Sequence, residues 1–406
     1  MRIAIVIHEF PPYGGGAATA AAQVAAELVR GGHHVLVVTS SVPGGCEGES
    51  EHGYEITRLP TTRRSRLAPR PHELLTYAAS CFWRLERHLR KFQAEGVIAF
   101  MAVPSGYFAV RAAQRMRIPA VVSLRGSDVP GFSPDRISGL YRAVADRLVR
   151  STLRRADAIA PNSEFLASLA TGFCPDVASR MTIVFNGIEP AAIADQPACS
   201  DGTSLRLVQV GQLIARKQVQ HVIEAIPRLL EANIPVRLTV IGSGPLENEL
   251  RDLARRLCPA DAVEFLGHLS RDRILTTLRC CDLFLSTSKA EGMSNAVLEA
   301  MASGLPIIIA PNGSEDIVKA ARSGRVLQEV TSVEIAQQVT ELYAQPTERR
   351  DLGLRGIEFA RQHSWTATAS SFVELLRATV RFSRSDDVPT DSDVLPNDRS
   401  AFSPGN

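Results

Sequence analysis

Residues 283–310 read LFLSTSKAEGMSNAVLEAMASGLPIIIA. The stretch opens on an apolar run, LFLSTS (283–288), passes through a loop carrying Gly292, continues as a helix-length segment and ends in PIIIA (306–310). A strand that is apolar on both faces, a helix and a second such strand make a βαβ unit, in which the strands run parallel beneath covering helices. Two carboxylates, Glu291 and Glu299, lie eight residues apart around the helix start. The loop glycine and the helix-initial N–H groups of Asn295, Ala296 and Val297 suit a phosphate. Glu299, about a turn further on, lies deeper beside the same ligand. Its two oxygens suit vicinal hydroxyls, such as those of a ribose or hexose. Either glutamate alone would be an ordinary helix-start or polar-face residue; the whole string at the end of a parallel strand says more.

The same alternation runs outward in both directions. Upstream come IAIVI (3–7), a helix from about Ala17, VLVVTS (35–40), an Arg/Pro-rich insert, and a helix near Glu73–Ala94. VIAF (97–100), AVVSL (120–124), AIAPN (158–162) and TIVFN (182–186) follow. The second series is LRLVQVG (205–211), VRLTVIG (236–242), VEFLG (263–267), the unit quoted above, and RVLQ (325–328). Two such series predict an α/β chain of two doubly wound, Rossmann-like domains, residues 1–190 and 204–363. The boundary falls in Pro190–Ser204, which is small, polar and turn-forming. SWTATASSFVELLRATV (364–380) predicts a terminal helix, and the Ser-, Asp- and Pro-rich stretch 383–406 predicts disorder.

Composition narrows the classes. With 406 residues, 45% hydrophobic and 22% charged, the chain has material for two cores. No apolar run approaches the roughly 18 residues that span a bilayer. MRIAIVIHEF, with Glu9 directly after its short apolar run, reads as a first strand rather than a leader. Seven cysteines without zinc spacing read as free thiols of a cytoplasmic protein. The net charge of +2 hides a local imbalance: Arg58 to Arg155 holds 19 Lys and Arg against 6 Asp and Glu.

Two further loops bear on ligand binding. Pro11-Pro12-Tyr13-Gly14-Gly15-Gly16-Ala17 joins the first strand to the first helix, where close backbone approach and free N–H groups suit an anion. The GxGxxG fingerprint fails at Ala18 and Thr19, and the second strand ends Val38-Thr39-Ser40 without an acidic residue, which disfavours a nicotinamide dehydrogenase. VGQLIARKQ (210–218) brings Arg216 and Lys217 to a strand edge, a pair suited to a diphosphate. In VIGSGPLENEL (240–250) the Gly242-Ser243-Gly244 turn places flexible backbone at the same edge.

These strings closely resemble glycosyltransferase family 4, the retaining family with the GT-B fold, from Met1 to about Phe382. The landmarks are Gly14–Gly16, Ser123-Leu124-Arg125-Gly126-Ser127-Asp128, Asn186-Gly187-Ile188, Val210-Gly211 through Lys217, Gly242-Ser243-Gly244-Pro245, Phe265-Leu266-Gly267 and Glu291 to Pro306. The resemblance implies two domains facing across a cleft, with a last helix, 364–382, crossing back to the first domain from Trp365. It implies that Arg216 and Lys217 neutralise a donor diphosphate, that Glu299 holds the ribose, and that Glu291 contacts the transferred sugar. Asn295, Ala296 and Val297 would bind phosphate or sugar through main-chain groups, with Gly15 and Gly16 capping from the opposite domain. Gly211 and Gly242 would line the donor site, and Gly267 and His268 would lie by the base.

Two departures stand out. Many members carry a His, touching the donor sugar, where this chain has Arg125. A permanently charged Arg is no general base, but it can stabilise a departing diphosphate or form a salt bridge with Asp128. Gln218 stands where members usually have Gly, and a larger side chain there would narrow the pocket.

The implied reaction is metal-independent transfer, with retention, from a nucleotide-sugar donor to a lipid-linked or saccharide acceptor in cell-surface polysaccharide or glycolipid synthesis. No cofactor and no nucleic-acid partner is expected. Alternatives on the same fold are a nucleotide-sugar epimerase, a phosphorylase with a pyridoxal group, or a non-catalytic nucleotide-sugar binder. Glycosidase chemistry is disfavoured, because its two carboxyls must flank the scissile bond. For the acceptor, Arg58, Arg63, Arg64, Arg66 and Arg70 precede a helix with Phe82-Trp83-Arg84-Leu85, Arg87, Arg90 and Lys91. Cations interleaved with aromatics suit peripheral contact with an anionic inner-membrane surface; a solvated basic face or a groove for an acidic polysaccharide is the alternative.

Overall fold

The computed structural model describes residues 1–45, 48–50, 52–65, 69–132, 140–197 and 204–385. The first seven strands are β1 (Arg2–Val6), β2 (His34–Ser40), β3 (Gly48–Glu49), β4 (Glu55–Leu59), β5 (Gly96–Phe100), β6 (Ala120–Leu124) and β7 (Ala158–Pro161). They form one sheet in the order β3-β4-β2-β1-β5-β6-β7, parallel except for the β3–β4 pair. The next six are β8 (Leu205–Val210), β9 (Val236–Ile241), β10 (Val263–Gly267), β11 (Leu283–Ser286), β12 (Ile307–Ile309) and β13 (Gly324–Val326). Their all-parallel sheet runs β10-β9-β8-β11-β12-β13.

Both sheets are buried on both faces. Along β1, Ile3 and Ile5 join one apolar layer, and Ala4 and Val6 the other. Along β12, Ile307 and Ile309 face one layer and Ile308 the opposite one. The covering helices read accordingly: in Val219–Glu231 the buried residues Val219, Val222, Ile223, Ile226 and Leu229 form one stripe. The two doubly wound domains expected from the alternation are therefore present.

The last helix, Trp365–Ser385, crosses back as expected. Trp365, Ala369, Phe372, Val373 and Leu376 pack into the first domain's core, and Thr366 Oγ1 donates to Glu27 Oε2 at 2.9 Å. Gly187 makes the crossing possible: a Cβ there would overlap the main-chain nitrogen of Trp365. The domains also touch directly. Ala290 packs into the first domain's core, and Phe165 N–H donates to Asp316 Oδ2 at 3.2 Å.

Three readings change. The insert after β2 contains strands β3 and β4. In β4 the first three residues, Glu55, Ile56 and Thr57, are exposed, buried and half-buried in turn, as in a strand near a sheet edge, so its apolar signal is weak. Thr182–Asn186 is not a strand of the sheet: Thr182 and Val184 N–H groups donate to Ile159 and Pro161 carbonyls before the chain turns at Asn186 toward the second domain. The terminal helix extends to Ser385; the rest of the expected tail, 386–406, and residues 198–203 of the boundary lie outside the described residues. Among the described residues, five cysteines are free and no helix is long and apolar enough to cross a membrane.

Candidate active site

Strand order reverses between β1 and β5 in the first sheet and between β8 and β11 in the second. Loops leaving the carboxyl ends of strands at such a reversal form the ligand crevice of open parallel sheets. Of the sequence-derived candidates, Gly15 and Gly16 follow β1, Gly211, Arg216 and Lys217 follow β8 and Glu291 follows β11, with Asn295–Val297 and Glu299 on the helix after it; Arg125, Gly242 and Gly267–His268 lie at the carboxyl ends of β6, β9 and β10.

After β8 the chain makes a short 3₁₀ turn, Ala215–Lys217, that presents Arg216 and Lys217. Hydrogen bonds tie this turn to the loop after β11: Thr287 Oγ1 donates to the Lys217 carbonyl at 2.8 Å, and Lys289 N–H to the Arg216 carbonyl at 2.9 Å. Gln218 pivots into the next helix with φ 50° and ψ 37°, a left-handed conformation. Glycine adopts it freely, whereas a side chain costs about 1 kcal/mol or more; this is the physical content of the Gly-to-Gln departure.

Glu291 is the hub. Its Oε1 accepts from Lys217 Nζ at 2.6 Å, Ser288 Oγ at 2.7 Å and Arg216 Nη1 at 3.2 Å, and Arg216 Nη1 also donates to the Ala290 carbonyl. Burial pushes the Glu291 carboxyl up, but Lys217, Arg216 and the Ser288 hydroxyl outweigh it and hold the group below the usual carboxylate range. Asn312 fixes the loop: its carbonyl accepts from Glu291 N–H at 2.7 Å, and its Nδ2 donates to the Ser288 carbonyl at 3.0 Å. In the sequence Asn312 belongs to PNGSED (311–316), which signals only a turn.

The helix Asn295–Ala302 begins behind this hub. Leu298 N–H to the Ser294 carbonyl, 3.2 Å, is an early bond of its ladder, so the N–H groups of Asn295, Ala296 and Val297 lie in the first turn, where helix donors point outward. On the same helix Glu299 meets a partner that sequence reading did not identify. Arg271 Nε lies 3.1 Å from Glu299 Oε1, and Arg271 Nη1 lies 3.0 Å from Glu189 Oε1 at the end of the first domain. Burial pushes the Glu299 carboxyl above its usual range against the pull of Arg271, and Glu189 adds to the rise. No spacing pattern links residues 189, 271 and 299; the fold alone brings them together.

The glycines divide in role. Gly242 takes φ +135°, and a Cβ there would overlap the Gly211 carbonyl oxygen, so it permits β8 and β9 to end side by side. Gly267 accepts Gly242 N–H at 2.8 Å, and His268 beside it is exposed. Across the cleft Gly15 precedes the first helix, which starts at Gly16. A Cβ on Gly16 would lie 3.6 Å from Asn295 Nδ2, so the glycine loop and the second domain's helix start face each other.

Arg58 and Arg63 are not part of a solvated basic face. Both are buried: Arg58 Nη1 donates to the Ser40 carbonyl at 3.0 Å and Arg63 Nη1 to the His8 carbonyl at 2.7 Å. Arg58 also donates to the Pro11 carbonyl, so the two guanidiniums anchor the start of the glycine loop. Arg64 and Arg70 are exposed, and Arg66 lies outside the described residues. Arg125 forms no fork with Asp128. That carboxylate accepts main-chain N–H groups instead, from Ala102 at 2.8 Å, Gly126 at 2.9 Å and Arg125 itself at 3.1 Å.

Comparison with known proteins agrees with this arrangement domain by domain. Residues 15–187 match the glycosyl transferase 4-like domain, and residues 195–359 match glycosyl transferases group 1. A GDP-mannose-dependent monoacylated alpha-(1-6)-phosphatidylinositol monomannoside mannosyltransferase of Corynebacterium glutamicum is 23% identical, over 94% of this chain and 99% of its own. A GDP-mannose-dependent alpha-mannosyltransferase of Mycolicibacterium smegmatis is 26% identical, over 92% and 96%. The match to the WcaL glycosyltransferase of Escherichia coli strain K12, 28% identical, spans about half of either protein, 46% of this chain and 47% of the relative. Among solved structures, sucrose-phosphate synthase of Thermosynechococcus elongatus superposes with a TM-score of 0.76 at 17% identity, over 94% of this chain and 99% of that one. HepE of Anabaena, solved in complex with UDP, gives 0.73 at 17% identity, over 93% and 100%. With both domain families matched in order and the fold shared along nearly its whole length, the chain belongs to the glycosyltransferases of the GT-B type, family 4.

Proposed function

We propose that this protein transfers a sugar, with retention and without a metal ion, from a nucleoside-diphosphate sugar to a lipid-linked or saccharide acceptor. The observation that carries the reading is the cluster of Glu291 with Lys217, Arg216 and Ser288 at the reversal point of the second sheet, followed by a helix start whose Asn295 faces Gly16 of the first domain. An entering diphosphate competes with Glu291 for the two cations. Once they turn to it, Glu291 is free to accept a hydroxyl of the transferred sugar. The helix-initial N–H groups at Asn295–Val297 and the first turn at Gly15–Gly16 add fixed positive potential where the leaving group's charge develops. The two mannosyltransferases are named for a guanosine donor and HepE was solved with a uridine nucleotide, so the diphosphate is the feature these relatives have in common.

Calorimetry with uridine and guanosine diphosphates tests the reading. One of them should bind, and Glu299→Ala should weaken it by about 1–3 kcal/mol, the scale of a lost buried polar contact. The pH dependence follows from the Glu299 pair. The ionised carboxylate accepts ribose hydroxyls on both oxygens and protonation removes one of those acceptors, so affinity should fall as pH drops through its raised pKa. Arg271→Ala removes the cation that pulls this pKa down and should move the fall-off to higher pH. Absence of binding by either nucleotide, or full affinity in Glu299→Ala, would sink the reading.

For the acceptor we propose contact with an anionic membrane through the helical stretch Pro71–Phe92. Leu75, Phe82 and Trp83 are 62%, 55% and 78% exposed, and Arg84, Arg87 and Lys91 are exposed on the same stretch. Large apolar groups ringed by cations complement an anionic lipid surface, where each cation contributes about 1 kcal/mol. Sedimentation should show binding to anionic but not neutral vesicles, weakening with salt. Replacing Phe82, Trp83, Arg84 and Arg87 with Ser should abolish it and leave nucleotide affinity intact. Equal recovery in the supernatant with both vesicle types at low salt would favour a soluble saccharide acceptor.

A further inference from the structure

Arg125 stands at the carboxyl end of β6 and is 9% exposed. Its Nη1 donates to Asn186 Oδ1, and its guanidinium carbon lies 4.5 Å from the centroid of the Phe100 ring. Nε and Nη2 are buried without a hydrogen-bond partner. Burial lowers the guanidinium pKa to about 9, and the nearby Asp128 charge offsets only part of that fall. Unpaired buried charge is strongly destabilising, so such a group calls for an anion. Asp128 is committed to the three main-chain N–H groups described above.

The position identifies what that anion belongs to. Asn186, which accepts from Arg125, donates through Nδ2 to Asn295 Oδ1 at 2.7 Å, and Asn295 faces Gly16. The Arg125 carbonyl abuts the sugar-contacting loop: a Cβ on Gly292, next to Glu291, would lie 2.9 Å from that oxygen. The guanidinium is thus one side chain, Asn186, away from the second domain's helix start, and the Arg125 main chain touches the loop after Glu291, while in the reading above the diphosphate has Lys217 and Arg216. The unpaired atoms also form a pattern. Nε–H and one Nη2–H lie along the same edge of a guanidinium and point in parallel, a fork that matches the two oxygens of a carboxylate.

We propose that Arg125 reads a carboxylate on the transferred sugar, so that the donor is a nucleoside-diphosphate uronic acid and not a neutral hexose. The proposal rests on the donor-site reading above. The donor's own phosphate is the other anion that the fork would accept, and the measurement separates the two.

Calorimetry compares UDP, UDP-glucose and UDP-glucuronate, and in parallel GDP, GDP-mannose and GDP-mannuronate, on the full chain and on Arg125→Gln. Within the series whose bare diphosphate binds, the uronate should bind wild type about tenfold or more tightly than the neutral sugar. Arg125→Gln should erase that preference and leave the affinity for the bare diphosphate unchanged. Arg125→Lys, which keeps the charge without the fork, should lose most of it. Equal or tighter binding of the neutral sugar by wild type overturns the proposal, and that comparison needs no folded variant. An equal loss of bare-diphosphate and sugar-nucleotide affinity in Arg125→Gln also overturns it, by assigning the fork to phosphate. If neither bare diphosphate binds wild type, the donor-site reading itself fails and takes this proposal with it.

Discussion

Lys217→Ala should lower turnover about 10²–10³-fold, the cost of removing one preorganised donor from a developing oxyanion. Lys217 Nζ is held 2.6 Å from Glu291, on a turn fastened to the loop after β11, so it needs little reorganisation to meet a diphosphate. The fold should survive. Lys217 is not a core residue, and in its absence Arg216 and Ser288 still contact Glu291. Arg216→Ala should also reduce turnover, with an added effect on the loop through the lost bond to the Ala290 carbonyl. Chelator should leave wild-type turnover unchanged. Steady-state rates checked against thermal melts decide the matter: Lys217→Ala within threefold of wild type would remove the diphosphate role, and activity lost to chelator and restored by magnesium or manganese would remove the metal-free one.

Gly242→Ala should cost about 3–5 kcal/mol of stability, combining a left-handed backbone forced on a side chain with overpacking against a carbonyl oxygen. The overlap is with backbone, at Gly211, where no side chain can rotate away. Gly15→Ala is the contrast. A Cβ there meets nothing within 4 Å, so this variant should denature like wild type and report only on ligand approach. Chemical denaturation of both measures the difference. A Gly242→Ala curve within about 1 kcal/mol of wild type would mean that the ends of β8 and β9 do not converge as described.

That contrast bears on what a sequence can tell. Gly15, Gly16, Gly211 and Gly242 read alike, as flexible backbone near a ligand, because a glycine's neighbours are invisible until the strands are placed. The βαβ periodicity, the Glu291–Glu299 string and the stripe beginning at Trp365 were legible because each is local: one segment's pattern fixes its own face. Arg58 and Arg63 were not, since a cluster of arginines in sequence reads as solvated, and only the carbonyls of Ser40, His8 and Pro11 turn these two inward. Arg271 was hidden for the same reason, reaching Glu299 and Glu189 from residues 28 and 82 positions away. Strand β4 escaped because a half-covered strand near an edge carries a weaker apolar signal than a central one.

A nucleoside diphosphate should occupy the reversal point of the second sheet and take over the cations now on Glu291. A crystal structure of the protein with whichever diphosphate binds in calorimetry tests it most directly. Lys217 Nζ and the Arg216 guanidinium should lie within hydrogen-bonding distance of phosphate oxygens, with the ribose hydroxyls on Glu299 and Glu291 released toward the cleft. A nucleotide seated at the β1–β5 reversal of the first domain, or one bound with the Lys217–Glu291 pair intact, would contradict it.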